Sequence, residues 1–161
     1  LDVETWKALE DLYKSKKVRA IGVSNFLPHH LNNLLERTSI IPMVNQLEFH
    51  PGYTQKAAVD FSQRLGIQVE AWSPIGRARV LQEPLLMELA EKYQVSVAQI
   101  CIRFALQCGV LPLPKSSSGE RMRQNLDVFG FNIEDDDMHM LMTLPQIGWS
   151  GEHPDRERVE I

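Results

Sequence analysis

Four short apolar runs, each separated from the next by a helical pattern, limit what this chain can fold into. The runs cover residues 18–23, 43–49, 67–72 and 110–113. Helical periodicity fills residues 5–17 ahead of the first run and 28–37, 54–65, 84–93, 96–107 and 119–128 after it. A last amphipathic stretch covers 133–144. Local punctuation agrees with this division. Thr5 is placed to cap the first helix, Pro28 to open the second, and Ser96 to cap the helix over 96–107. Gly66 and Gly109 stand where helices stop, and acidic residues 134–137 suit a helix N-terminus. From Pro145 onward the chain reads as a loop. Strands joined by helical crossovers pair in parallel, because right-handed crossovers return each strand beside the last.

Four such units make half of an eight-stranded barrel or a small open sheet. No Gly-rich strand-to-helix turn of the dinucleotide-fold kind is present, which counts against the open sheet. Polar groups favour the barrel. The C-terminal ends of the runs offer Ser24 and Asn25, then Asn45, Gln46, Glu48 and His50, then Trp72 and Ser73, then Lys115 and Ser116. Parallel barrels carry their sites at that rim. The competing reading is that such residues cap helices or satisfy loop backbone.

Composition removes several function classes. The 161 residues carry a net charge of −4 with both signs interleaved, which gives no field for nucleic acid or an anionic membrane. No apolar run is long enough to span a bilayer and no signal peptide precedes the first helix, so the expected location is the cytoplasm. Cys101 and Cys108 share one helix face two turns apart, too far for a bond, and are expected to be buried thiols. The chain begins at Leu1, inside a helical pattern, and reads as though cut from something longer. No metal-ligand spacing stands out, and none is expected.

The strongest chemical signal lies where residues 113–121 turn from strand into helix. Lys115 and Arg121 bring two cations, and Ser116, Ser117 and Ser118 bring hydroxyls, to a helix N-terminus whose free N–H groups attract anions. That combination suits a phosphate; the bland alternative is Ser118 as an N-cap. Asn25 and Gln46 are amides at neighbouring strand ends, able to offer donor and acceptor to a flat carboxamide. Trp72 can give its face to an aromatic ring or simply fill a core. His50 is expected to be structural.

These residues carry a resemblance. Gly22-Val23-Ser24-Asn25-Phe26, Val44-Asn45-Gln46-Leu47-Glu48-Phe49-His50-Pro51, Ala71-Trp72-Ser73-Pro74-Ile75-Gly76 and Leu113-Pro114-Lys115-Ser116 resemble the aldo-keto reductases, in the family's order. So do Val97-Ala98-Gln99-Ile100 and residues 121–131. The likeness is closest to the branch holding 2,5-diketo-D-gluconate reductases and prostaglandin F synthases, which the His153-Pro154-Asp155 tail also resembles. It implies one partial barrel domain over 1–161, strands five to eight of a (β/α)8 barrel with the first half absent. It also implies NADP(H), bound without a Gly-rich loop. Ser24, Asn25 and Gln46 would hold the nicotinamide carboxamide, and Trp72 would stack on its ring. Ser73 and Ile75 would line the pyrophosphate. Lys115, Ser116 and Arg121, with the Ser117 hydroxyl beside them, would hold the 2′-phosphate, and Gln124 and Asn125 would meet the adenine. Two positions depart from the family pattern: Trp72 replaces a more usual Tyr, and Gln124 a common Glu.

Hydride delivery to a carbonyl also needs a proton donor for the developing alkoxide. In the family a Tyr, tuned by Lys and Asp with a His nearby, does this, and all four lie in the barrel's first half. No catalytic residue is assigned in this chain, because Tyr13, Tyr53 and Tyr93 match no family motif. The expectation is the cofactor side of a reductase of aldehydes and ketones, whose partners are a small carbonyl substrate and the other barrel half. The alternatives are a non-catalytic nucleotide-binding or self-associating half-barrel and, more remotely, an unrelated phosphate-binding barrel.

Overall fold

The computed structural model describes residues 2–156. Its elements follow in the order α1 Asp2–Lys14, β1 Gly22–Ser24, α2 Pro28–Leu35, β2 Val44–Glu48, α3 Lys56–Arg64, β3 Gln68–Trp72, α4 Pro84–Lys92, α5 Val97–Gln107, β4 Leu111–Pro112, α6 Gly119–Leu126 and α7 Asp135–Thr143. A 3-10 turn over Gly76–Ala78, not foreseen from the sequence, follows β3. The strands form one sheet in chain order, with β1 parallel to β2 and β3 parallel to β4. This α/β arrangement is that of a partial (β/α)8 barrel. No helix among the described residues is long and apolar enough to cross a membrane.

Two compact units divide the chain. Of the described residues, 2–47, 55–69 and 153–156 form the first, and 48–54 with 70–152 the second. In the first, Trp6, Ile21 and Leu34 make a core against which Leu9, Tyr13, Val23, Phe26 and Ile40 pack. α1 starts at Asp2, so Thr5 lies inside the helix rather than capping it. The helix stops at Lys14, and Lys16 takes the left-handed conformation. The first strand is also shorter than expected: residues 18–20 are exposed and unpaired with β2, and the ladder starts at Gly22 opposite Val44. The chain ahead of Val44 has other partners. The Ser39 and Ile40 N–H groups both donate to Glu10 at 2.7 Å, and Trp6 Nε1 donates to the Ile40 carbonyl at 3.0 Å. At Gly22 a Cβ would lie 2.8 Å from the Val44 carbonyl oxygen and 2.9 Å from its Cβ, so the pairing needs glycine.

Glu10 is 3% exposed and takes a third bond from Lys14 Nζ at 3.1 Å. Burial alone would raise its carboxyl pKa. The Ile40 and Ser39 N–H groups and Lys14 outweigh that and hold it below its ordinary value. A depressed carboxyl contributes stability above its unfolded-state pKa and loses it as pH falls through the folded value. Glu10→Gln is therefore expected to cost about 1–2 kcal/mol near neutral pH and much less in acid. Urea unfolding at several pH values checks this; an equal loss at pH 3 and pH 7 would refute the assignment.

In the second unit Phe49 and Phe104 stack at 5.6 Å among buried Leu86, Leu89, Ile100 and Leu141. Ser96 caps α5 as expected, in a reciprocal box with Gln99. Cys101 lies on α5 and Cys108 is its C-cap, but only Cys101 is buried; burial pushes its thiol up to about 12. Cys108 is half-buried, its sulfur 3.8 Å from that of Met142, which corrects the expectation of two buried thiols.

Candidate functional site

A cleft of about 420 Å³ opens in the second unit where β4 runs into α6. Lys115, Ser116, Ser117, Arg121, Gln124 and Asn125 line it, joined by Ile75 from the loop after β3. Seven of the twelve residues singled out in the sequence therefore share one cavity. Local geometry explains the convergence. Ser118 is the N-cap of α6, its hydroxyl accepting from the Arg121 N–H at 3.4 Å, and Ser116 Oγ accepts from the Ser118 N–H at 3.1 Å. The bland reading of Ser118 thus holds, and the phosphate reading keeps its neighbours. One helical turn sets Arg121 and then Gln124 and Asn125 along the same side. Neither Lys115 nor Arg121 has an ion pair among the described residues, so both cations line the cleft unpaired, although Glu120 also lies in the first turn of α6. Ala78, Leu81 and residues 96–98 complete the walls, and none of them was assigned to the cofactor from the sequence.

Ser24, Asn25 and Gln46 come together in the first unit. Ser24 lies opposite Gln46 in the β1–β2 ladder, and its hydroxyl donates to the Gln46 carbonyl at 3.1 Å. The Asn25 N–H donates to the same oxygen at 2.9 Å, and Asn25 adopts φ +59°. Their neighbour Asn45 is buried instead, donating to the Phe26 carbonyl at 2.8 Å and to Ser62 Oγ at 3.1 Å.

Trp72 ends β3 in the second unit and is half-buried. Ser73, which does not line the cleft, begins a loop in which Ser73, Gly76, Arg77 and Ala78 take φ values of +50°, +54°, +51° and +67°. Three of these are not glycine, and such clustering of left-handed backbone marks a loop held by its surroundings. At Gly76 a Cβ would stand 2.8 Å from Val80 Cγ1. Arg77 places its guanidinium carbon 5.4 Å from the Trp72 ring centroid, and its Nη2 donates to Glu152 Oε1 at 2.9 Å. The tail carrying Glu152 is fastened nearby. Ser150 donates to Glu48 through its N–H at 3.0 Å and its hydroxyl at 2.7 Å, and Arg79 donates to the Trp149 carbonyl at 2.7 Å. Sequence reasoning missed Arg77, Glu152 and Ser150, whose partners lie up to 102 residues away in the chain.

His50 is fully buried, as a structural role requires. Its Nδ1 lies 2.9 Å from the Pro51 carbonyl and its Nε2 3.5 Å from Glu48 Oε1. A second cluster joins α4 to α7. Lys92 donates to Asp137 at 2.7 Å and Glu134 at 2.8 Å, while the Tyr93 hydroxyl donates to Asp137 and accepts from the Glu134 N–H. Tyr, Lys and Asp are residue types suited to proton delivery, but burial and the Asp137 carboxylate raise the Tyr93 pKa, which makes it a poorer acid. In the first unit His29 and His30 direct Nε2 at Asp155 Oδ1, at 3.0 and 2.9 Å. The Leu27 N–H donates to His30 Nδ1 at 3.1 Å, which leaves the proton on Nε2 and makes that contact a hydrogen bond.

Comparison with known proteins follows the same outline. The family model for the Aldo/keto reductase family matches residues 2–144. Glyoxal reductase of Bacillus subtilis is 47% identical over 152 residues, covering 94% of this chain and 55% of that protein. 2,5-Diketo-D-gluconic acid reductase B of a Corynebacterium species is 38% identical over 159 residues, 98% of this chain and 57% of that one. Among solved structures, a variant of Gox0644 in complex with NADPH superposes with a TM-score of 0.92 at 41% identity, covering 97% of this chain and 58% of that one. The chain thus spans about half the length of the relatives it matches.

Proposed function

The chain belongs to the aldo/keto reductase family of oxidoreductases, and we propose that it supplies the NADP(H)-binding part of an enzyme that reduces aldehydes and ketones to alcohols. The observation that carries this reading is the cleft at the α6 N-terminus, where Lys115 and Arg121 stand without an anionic partner among the described residues. A 2′-phosphate fits that donor set: two cations, the Ser116 and Ser117 hydroxyls and helix N–H groups. Gln124 and Asn125, on the same wall, offer amides to the adenine. Ser73 and Ile75 would line the pyrophosphate. Trp72 would stack on the nicotinamide ring, and Ser24, Asn25 and Gln46 would hold its carboxamide.

NADPH, when bound, supplies the hydride for the carbonyl carbon. What these residues do is bind and orient: the phosphate contacts fix one end of the dinucleotide, and an indole face and three polar groups fix the ring. The small carbonyl substrate, and the proton donor that completes its reduction, belong to the whole protein, as does the assignment of 1–161 to one partial barrel domain. Titration of the full-length protein with NADPH, followed by tryptophan quenching, tests the reading; no saturable change would remove it.

A second reading has its own observation. In the second unit Leu111 and Leu113 are exposed beside β4, α6 buries no side chain, and Leu126 and Phe129 are 73% and 74% exposed. Exposed apolar side chains at and after a strand end promote association. On its own, the polypeptide 1–161 is therefore expected to self-associate, and Leu126→Glu with Phe129→Glu to shift it toward the 18.4 kDa monomer. Light scattering after size exclusion decides it; a well-dispersed monomer of the unaltered chain would contradict the association.

A further inference from the structure

We propose that Arg77 is a gate on the cofactor site: its guanidinium covers a face of Trp72, and Glu152 holds it there, so that the ring of an incoming dinucleotide must displace it. This inference rests on the cofactor reading above and adds a step to it. Arg77 has two partners, the Trp72 ring at 5.4 Å and Glu152 Oε1 at 2.9 Å. Glu152 is itself fixed by the tail. Its N–H donates to Ser150 Oγ at 3.1 Å, its carbonyl accepts from Trp149 Nε1 at 3.2 Å, and Ser150 is bonded to buried Glu48. The Ile147 N–H to Gly52 carbonyl bond at 3.1 Å anchors the same segment. These bonds fix the Glu152 backbone, and its carboxylate accepts from Arg77.

The loop bearing Arg77 has the properties of a moving part. Arg77 and Ala78, neither of them glycine, sit in left-handed conformations, so the loop has lower-strain backbone states open to it once its contacts break. The Arg77–Glu152 pair is exposed on both sides, at 45% and 47%, and an exposed pair and a cation–π contact are each weak enough to exchange. A flat ring stacking on the indole competes for the surface that the guanidinium occupies. Binding then requires the uncovered state, and apparent affinity falls by the fraction of molecules in which Trp72 is covered.

Two substitutions and two measurements test the gate in the full-length protein. With 5-fluorotryptophan in place of the three tryptophans of this chain, the Trp72 fluorine resonance, assigned through Trp72→Phe, reports the cover directly. It is expected to shift in both Arg77→Gln and Glu152→Gln. Stopped-flow binding of NADPH is expected to show association about 2- to 5-fold faster in both variants, with dissociation unchanged, the size of effect that a weak exposed pair permits. Arg77→Gln is the decisive variant. Simple steering of an anionic cofactor by surface charge predicts slower association when a cation is removed, whereas a gate predicts faster. A Trp72 resonance that does not move overturns the cover. A resonance that moves while Arg77→Gln associates at the wild-type rate or slower overturns the gate and leaves the cofactor site standing. Wild-type protein that does not bind NADPH removes the cofactor reading itself, and the gate with it.

Discussion

Arg121→Ala in the full-length protein is expected to weaken NADPH binding about 10- to 100-fold while NADH changes little. The two cofactors differ at one place, the 2′-phosphate of the adenosine ribose, so a residue that meets only that group changes one dissociation constant and spares the other. A charge-assisted contact of this kind contributes about 1.5–3 kcal/mol, and each 1.4 kcal/mol is about tenfold. Arg121 suits the role because it lines the cleft with Lys115 and has no competing carboxylate among the described residues. The fold supplies a control. α6 buries none of its side chains, so truncating Arg121 leaves the core intact and the melting temperature close to wild type. Arg121→Lys should fall between the two, keeping the charge and losing the paired donors. Parallel titrations with both cofactors read the outcome. Equal weakening of NADPH and NADH would mean that the guanidinium does not meet the phosphate.

The parts of this molecule legible in the sequence are those whose causes are local. Ser96 caps α5 because a serine three residues before a glutamine closes a reciprocal box, and α4 starts at Pro84 because proline suits a first helical turn. The cleft was legible for the same reason: Lys115 to Ser117 lead directly into α6, and helical spacing sets Arg121, Gln124 and Asn125 along one side of it. Non-local causes were not legible. Residues 18–20 look like strand, yet a strand exists only where a partner has donors to give, and Ser39 and Ile40 spend theirs on Glu10. The left-handed run at 76–78 contains Arg77 and Ala78, which advertise no such backbone; the surrounding contacts impose it. The Arg77–Glu152 pair joins residues 75 apart, and no periodicity reports a contact at that range.

The largest effect expected concerns turnover. The polypeptide 1–161 alone is expected to show no NADPH-dependent reduction of an aldehyde such as 4-nitrobenzaldehyde, and to gain it when joined by a segment that supplies the family's Tyr and Lys. Reduction needs an acid to protonate the alkoxide as it forms, and a well-placed acid contributes about 10²- to 10⁴-fold. Each tyrosine of this chain is unsuited. Tyr13 packs against the Trp6 core. Tyr53 stacks on Trp149, and burial together with the Glu48 charge pushes its phenol up. Tyr93 comes nearest in composition, with Lys92 and Asp137 beside it, but Asp137 accepts the phenol's proton in a hydrogen bond and stabilises the neutral form. Lys92, which could lower the phenol, is committed to Asp137 and Glu134. The trio joins α4 to α7, and its effect is on stability. Tyr93→Phe is the discriminating variant. If 1–161 reduces the aldehyde and Tyr93→Phe abolishes it, the proton donor lies in this cluster after all. If 1–161 is silent, and the joined protein reduces the aldehyde equally well with Tyr93 or Phe at that position, the acid comes from the added segment and the cluster only holds two helices together.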